Sequence, residues 1–172
     1  KWDAAVAFVS GGVLAAMTFL VSSTNSHRLP RNETETLSDL RTLFRAQTHY
    51  ASVNGGHPDG NLECLARPTE CLPEYPDDAP FFLDAELASL TEKGGYRRSF
   101  HPGPPPATIP AEGSPTSVTT WALLAVPAEA GYTGVRAFCG DSTGFICHTP
   151  DGTAPAPTPD GLCDQTACTE LD

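Results

Sequence analysis

The hydrophobic residues of this chain form three successive patterns, and each pattern predicts a different kind of element. Residues 4–21 form an uncharged and largely apolar run of eighteen residues. A helix of this length measures roughly 27 Å at 1.5 Å per residue, which is close to the thickness of the hydrocarbon layer of a bilayer. Lys1 and Trp2 precede the run, and both residue types are frequent at membrane interfaces. Residues 1–31 are therefore predicted to form a membrane anchor helix and its juxtamembrane segment.

An amphipathic pattern follows Pro30, which is expected either to break the chain or to kink a helix that continues past it. Asn32 is a candidate N-cap, and Glu35 three residues later completes a capping-box pattern. The Asn-Gly-Gly sequence at residues 54–56 matches a left-handed C-terminal cap. Between these signals the apolar residues form one stripe at helical spacing, namely Leu37, Leu40, Leu43, Phe44 and Ala51. An amphipathic helix is thus predicted over residues 32–53.

The later part of the chain predicts a sheet. A short helix capped by Asp84 is expected over residues 84–93, because leucines share one face there and two glycines follow. Four further segments have the composition of strands, at residues 96–101, 116–126, 135–139 and 144–149. The predicted fold class is α+β: an N-terminal transmembrane helix, then an amphipathic helix packed on a four-stranded antiparallel sheet with disulfide-stapled loops. Residues 32–172 would form this extracytoplasmic domain.

Six cysteines in a chain of 172 residues indicate an oxidising compartment, where disulfides compensate for a modest hydrophobic core. No Cys-x-x-Cys pattern occurs, which argues against a zinc ribbon or a thioredoxin-like site. A redox-active pair is the functional alternative to structural bridges. Six cysteines allow fifteen connectivities. The simplest hypothesis is three short-range bridges, Cys64–Cys71, Cys139–Cys147 and Cys163–Cys168.

The net charge of the chain narrows the range of partners. A formal net charge of −11 argues against nucleic acid as a partner, because phosphate binding requires clustered Lys and Arg. It argues equally against a domain that lies flat on anionic lipid. Solubility of an exported domain explains this acidity, and binding of calcium or of a cationic partner is the alternative.

Catalytic and metal-binding patterns are absent from the sequence. The five histidines share no ligand spacing such as His-x-x-x-His, and there is no nucleophile elbow and no phosphate-binding loop. The tripeptide Pro-Asp-Gly at residues 58–60, 150–152 and 159–161 predicts turns, because no twelve-residue calcium loop ending in Glu accompanies it. We therefore predict no catalytic residue, no cofactor and no metal, and a protein that is not an enzyme.

Two features of the predicted anchor bear on what it contacts. Asp3 places a carboxylate at the edge of the anchor, which is costly unless the group is paired or lies near the interface. Small residues interrupt the large side chains further along, which reflects either the tolerance of membrane helices for glycine or the close approach of a second helix. The candidate assembly residues are accordingly Asp3, Ser10, Gly11, Gly12, Ala15 and Ala16.

Short motifs carry a signal beyond their secondary structure. Residues 12–16 read Gly-Val-Leu-Ala-Ala, and the later segments include LRTLFRAQTHYASVNGGHP, GGYRRSF and the aromatic hairpin FCGDSTGFI. These motifs, and the order of the predicted elements, resemble those of the type IV pilins and the pseudopilins of type II secretion. The first motif is similar to the Gly-Ile-Leu-Ala-Ala stretch of a pilin's first helix. Aligning on it places Asp3 where that family has a conserved glutamate.

The resemblance implies a structural subunit anchored in the bacterial inner membrane, with its C-terminal domain periplasmic or extracellular. In pilins the first helix anchors the subunit and later packs in the filament core. Asp3 would then take the role of the glutamate that pairs with a neighbour's amino terminus. The implied partners are the lipid bilayer and other membrane helices. Those helices would belong to copies of the chain in a filament or secretion pseudopilus, or to a respiratory or photosynthetic membrane complex that the chain stabilises as an accessory subunit.

Overall fold

The first element of the fold is one long α-helix, α1, which spans Ala4–Val53. The computed structural model describes residues 4–90, 92–109 and 111–171, and side chains from Arg28 onward. Among these described residues no helix is both long enough and apolar enough to cross a membrane. The side chains of the predicted anchor up to position 27 lie outside the description, so the anchor stays a prediction.

Helix α1 continues through Pro30, so the proline does not break the chain there. The predicted start of a separate helix at Asn32 is wrong. Its side-chain Nδ2 donates to Thr133 O at 2.8 Å, in a loop of the sheet domain, and it caps no helix. A proline inside a helix removes one backbone hydrogen bond. The contacts that the next turn makes with this loop offset part of that cost, and a sequence pattern does not reveal them.

The C-terminal end of α1 confirms the predicted stop. Gly55 and Gly56 both have positive φ, and Gly56 N donates to Ala51 O at 2.8 Å. Glycine is favoured in this left-handed conformation because it has no Cβ. The connection that follows contains helix α2, Glu63–Ala66, and a 3₁₀ turn, Pro68–Glu70.

Helix α3 spans Ala85–Ala88 and is shorter than the predicted helix over residues 84–93. Its predicted cap is confirmed, since Asp84 Oδ1 accepts from Leu87 N at 2.9 Å. The helix ends early because Leu90 adopts a φ of +53°, which no helical residue has.

Five antiparallel strands form a single sheet in the order β1-β2-β3-β4-β5, which confirms the α+β class. One strand more is present than the four predicted. The additional strand β5 has only two residues, too few for a strand pattern, and Glu170 in it pairs with Cys147. The strands are β1 Tyr96–Pro102, β2 Trp121–Pro127, β3 Ala137–Asp141, β4 Ile146–Thr149 and β5 Thr169–Glu170.

The sheet is covered on both faces, which explains why six of the seven residues of β2 are buried. Trp121, Leu123 and Ala125 belong to the larger core, which includes buried residues of α1. Ala122 and Leu124 point the opposite way and pack with cysteines of the sheet and the C-terminal tail. Successive side chains of a strand alternate between its faces, so one strand serves both cores.

The disulfides confirm one predicted bridge and correct two. Cys64 bonds Cys71 as expected. The predicted bridges Cys139–Cys147 and Cys163–Cys168 are wrong. Cys139 and Cys147 are cross-strand partners whose side chains share one sheet face, and the C-terminal tail runs across that face. Each strand cysteine therefore bonds a tail cysteine, in the bridges Cys139–Cys163 and Cys147–Cys168.

Candidate assembly surface

The predicted assembly residues lie at the N-terminal end of α1. Asp3 is outside the described residues. The backbone of the others is helical, but their side chains precede Arg28 and are outside the description: Ser10, Gly11, Gly12, Ala15 and Ala16. The role of all six residues therefore stays a prediction. The described part of α1 shows how the helix is joined to the sheet domain and which of its faces is exposed.

The first joint between α1 and the sheet domain is formed by Glu33. Its Oε1 accepts from the backbone N–H groups of Val135 and Arg136, both at 3.1 Å. Its Oε2 lies 2.9 Å from Nε and 2.7 Å from Nη2 of Arg136. Burial opposes the charge of Glu33, but the hydrogen bonds from Arg136 and Val135 outweigh it and hold the pKa of Glu33 below its usual value.

A second joint lies about two helical turns further along α1. Asp39 Oδ1 pairs with Lys93 Nζ at 3.0 Å, and its Oδ2 pairs with Arg98 Nη1 at 3.1 Å. The Arg98 side chain is only 1% exposed. A buried guanidinium without a carboxylate partner is strongly destabilising. This pairing therefore fixes the position of α1 over strand β1.

A third joint connects the C-terminal turns of α1 to a buried aspartate. Asp59 Oδ2 accepts from Tyr50 Oη at 3.0 Å, and its Oδ1 accepts from Thr116 Oγ1 at 2.6 Å. Gln47 exchanges two hydrogen bonds with the Asp59 backbone, at 2.8 and 2.9 Å. Burial, and then the charge of Asp59, raise the pKa of Tyr50. Tyr50 therefore keeps its proton and remains a hydrogen-bond donor.

Asn54 adds further bonds at the same end of the helix. Its Nδ2 donates to Ser117 Oγ at 2.9 Å, and its Oδ1 accepts from Ser114 N at 2.7 Å. The residue is fully buried. The three joints along the helix, with the bonds of Asn54 just past its end, thus hold the C-terminal part of α1 in one orientation relative to the sheet. The opposite side of the helix is presented to solvent in a fixed position.

That opposite side is a basic surface on an acidic protein. It carries four arginines, one histidine and neutral residues, but no Asp or Glu, although the chain has a net charge of −11. None of the four arginines forms an ion pair with another described residue. We call this surface the basic face, and it comprises the exposed positions Arg28, Pro30, Arg31, Thr34, Ser38, Arg41, Thr42, Arg45, Thr48, His49, Ser52 and Val53.

An apolar groove runs beside the basic face. It has a volume of about 310 Å³ and lies between α1 and the β3–β4 hairpin. Gly140 allows the close approach of helix and sheet, since a Cβ there would lie 3.1 Å from Leu40 Cδ2. Apolar walls with arginines at the rim suit a protein partner. The lining includes Leu40, Phe44, Trp121 and Ile146, with Arg41 and Arg45 alongside.

Sequence reasoning missed the basic face although a signal was present. Once the apolar stripe of α1 is assigned, the remaining helix positions are the exposed ones. Three of the four arginines of this face lie within the segment where an amphipathic helix was predicted or at its border, at positions 31, 41 and 45. The acids of the same helix, Glu33, Glu35 and Asp39, are buried or half-buried, which could not be foreseen without their partners.

Metal-binding geometry does not occur in the described part of the chain. No three His, Cys, Asp or Glu side chains there lie close enough together to hold an ion. Comparison with models of protein families, with curated proteins and with solved structures finds no match. The function of the chain is therefore inferred from its own residues and geometry.

Proposed function

We propose that this protein is a membrane-anchored, pilin-like structural subunit that assembles through its N-terminal helix into a filament or secretion pseudopilus. The observation that carries the proposal is the length of α1, whose fifty residues amount to about 75 Å. A compact domain of this chain's size has a diameter of roughly 40 Å. The helix is therefore about twice as long as the domain that packs on its C-terminal part.

The distribution of joints along α1 supports the same proposal. The described bonds between α1 and the sheet domain begin at Asn32 and end at Tyr50, and Asn54 adds further bonds just past the end of the helix. The turns before Asn32 include the uncharged run at residues 4–21, whose apolar side chains require either lipid or another helix as surroundings. A helix that is anchored at one end and carries a folded domain at the other can exchange lipid for neighbouring helices during assembly.

The three disulfides support an extracytoplasmic domain. All six cysteines are bonded, and two of the bridges tie the C-terminal tail to the sheet. Such bridges persist in the periplasm and outside the cell, whereas reducing systems remove them in the cytosol. Disulfide formation and the proposed orientation of the anchor therefore agree.

A direct test is to express the full-length protein with its natural N-terminus in a bacterium that has a pilus or type II secretion assembly system. The expected result is a membrane-bound pool that protease reaches only from the periplasmic side, together with filaments in electron micrographs. A preparation that contains one copy of the chain among the subunits of a cofactor-bearing membrane complex would contradict the filament and support the accessory-subunit alternative. A freely soluble chain would contradict both.

A further inference from the structure

A second exposed surface carries the charge opposite to that of the basic face. Between Arg67 and Lys93 the chain has seven acidic residues and no basic one. Among the described residues, only Glu70 of these seven has an ion pair, with Arg67 at 3.2 Å. All seven are exposed, and we call them the acidic segment: Glu70, Glu74, Asp77, Asp78, Asp84, Glu86 and Glu92.

The basic face meets residues 80–82, which lie between Asp78 and Asp84 of the acidic segment, at one cleft. The cleft has a volume of about 370 Å³, and its lining includes Arg45 and His49 on one side and Phe81 on the other. The Phe81 residue is 63% exposed. No ion pair in the described part of the chain joins the two surfaces. A large exposed aromatic beside charged residues is typical of a protein–protein contact.

The acidic segment is held in a fixed shape. The Cys64–Cys71 bridge closes a loop that contains Glu70, the first residue of the segment, and that precedes the others. Tyr75 Oη donates to Pro80 O at 2.6 Å, and the Phe82 ring packs edge-on against Tyr50 with centroids 5.4 Å apart. A surface that is already ordered loses little conformational entropy when a partner binds.

We propose that the basic face of one copy of this chain binds the acidic segment of the next copy. Opposite charges on preformed surfaces steer association and suppress wrong pairings. The arginines of the basic face are complementary to an acidic partner, and a copy of this chain supplies one together with the exposed Phe81. The inference rests on the proposed function, because assembly through the N-terminal helices is what brings copies together.

The contact joins two different surfaces, so an open assembly keeps one unpaired basic face at one end and one unpaired acidic segment at the other. Such head-to-tail contacts produce open filaments or rings, whereas a contact between identical surfaces stops at a dimer. The contact would therefore determine the spacing of the sheet domains along a filament, while the N-terminal helices supply its apolar core.

Carbodiimide cross-linking tests the contact directly, because it joins only amines and carboxylates that touch. The full-length Arg45→Lys variant keeps the charge at position 45 and introduces an amine there. Filaments are assembled from a mixture of unlabelled and ¹⁵N-labelled copies. The expected product joins position 45 to a carboxylate at positions 70–92 and contains one labelled and one unlabelled peptide. Cross-links found only within single copies, or none at this position, would overturn the proposal. The matched control is Arg97→Lys, on an exposed arginine of β1, which is expected to give no such product.

Charge reversal gives an independent test. Arg41→Glu combined with Arg45→Glu is expected to lower the amount of filament about tenfold, because like charges then face each other. Glu74→Lys combined with Asp77→Lys and Asp78→Lys is expected to have a similar effect. Combining both sets restores the attraction with its sign exchanged, and filaments are expected to return to near the original amount. Arg97→Glu is the control for a change of net charge elsewhere.

The outcomes separate the contact from the proposed function. If the unmodified chain forms filaments and both reversed variants form them equally well, the contact is overturned while the filament remains. If the two reversed variants fail and their combination fails as well, although all remain folded with intact disulfides, the pairing of these two surfaces is overturned. If the unmodified chain forms no filament at all, the proposed function and the contact fail together.

Discussion

Glu33 and Arg136 form a two-point ion pair although they lie 103 positions apart in the sequence. Glu33 Oε2 lies 2.9 Å from Nε and 2.7 Å from Nη2 of the guanidinium, and the same carboxylate also accepts from two backbone amides. The Glu33 side chain is 11% exposed and that of Arg136 is 36% exposed. Partial exclusion of water strengthens such a pair relative to one on the open surface.

Replacing Glu33 is therefore expected to loosen the first joint between α1 and the sheet domain. The Glu33→Gln variant keeps the shape of the side chain but removes its charge and one acceptor oxygen. We expect the free energy of unfolding to fall by about 2 kcal/mol, the usual size for a lost hydrogen-bonded charge. Urea unfolding of the full-length protein in mild detergent measures the change. Glu35→Gln on the same helix is the control, because Glu35 has no ion pair among the described residues. Equal loss in both variants would contradict a specific role for Glu33.

The same ion pair predicts a dependence of stability on pH. The pKa of Glu33 in the folded protein lies below its ordinary value of 4.5. A group whose pKa is lowered by folding contributes stability above its ordinary pKa and loses it as the pH falls through the folded value. The stability difference between the unmodified protein and Glu33→Gln should therefore be constant near neutral pH and shrink below about 4.5. Unfolding curves at a series of pH values check this, and a difference that grows on acidification would contradict it.

Replacing Asp59 is expected to cost much stability, although the sequence indicates only a turn at this position. Asp59→Ala leaves Tyr50 Oη, Thr116 Oγ1 and Asn61 N without their acceptor. We expect a loss of about 3 kcal/mol, because Tyr50 is fully buried and an unsatisfied buried polar group costs about 1–3 kcal/mol, and because two further hydrogen bonds are lost with it. The matched control is Asp151→Ala in the second Pro-Asp-Gly tripeptide, where the aspartate is exposed and accepts from Thr153 N. Its loss is expected to stay below about 1 kcal/mol. Similar losses at the two positions would show that Asp59 acts only through its turn.

The contrast between these aspartates indicates what a sequence can predict for this fold. Local signals were reliable: the cap at Asp84, the glycine stop after Val53 and the strands around Tyr96 and Phe138 are all present. Each of them depends on residues within a few positions of one another. A local pattern was misleading where the residue has a distant partner. Asn32 is a residue type that caps helices, but it bonds a loop 101 positions away.

Two of the predicted cysteine pairings were wrong for the same reason. Pairing each cysteine with its neighbour in sequence assumes that the tail closes on itself. The tail instead returns over the sheet, where Asp141 Oδ2 accepts from Cys163 N at 3.0 Å and β5 pairs with β4. No local pattern carries that information, because the two bridges of the tail span 24 and 21 positions.

The revised connectivity predicts unequal contributions of the bridges to stability. A bridge that closes a longer loop removes more entropy from the unfolded chain, so Cys139–Cys163 and Cys147–Cys168 should each stabilise by about 3 kcal/mol. The Cys64–Cys71 bridge closes a much shorter loop and should contribute about 2 kcal/mol. Paired Cys→Ser variants and urea unfolding measure the order, and peptide mapping without reduction identifies the partners. A fragment that joins Cys163 to Cys168 would contradict the connectivity.

The last prediction concerns the small residues of the N-terminal helix, on which the proposed assembly depends. Close packing between helices in lipid comes from van der Waals contact between small residues, since apolar burial gives no advantage there. Gly12→Leu places a branched side chain at the end of the Ser10-Gly11-Gly12 sequence. We expect it to lower the amount of filament at least about tenfold, the ratio that 1.4 kcal/mol produces.

The control for this experiment is Gly12→Ala, which keeps the residue small and is expected to retain most assembly. The sheet domain should be unaffected in both variants, because its described joints to α1 lie at Asn32 and beyond. Exported protein with all three disulfides intact is therefore the expected companion result. Filament formation by Gly12→Leu at the level of the unmodified chain would show that the glycines are passive and would move the site of helix packing to another face. Loss of the folded domain together with the filament would show that position 12 acts on folding, and would contradict a role confined to assembly.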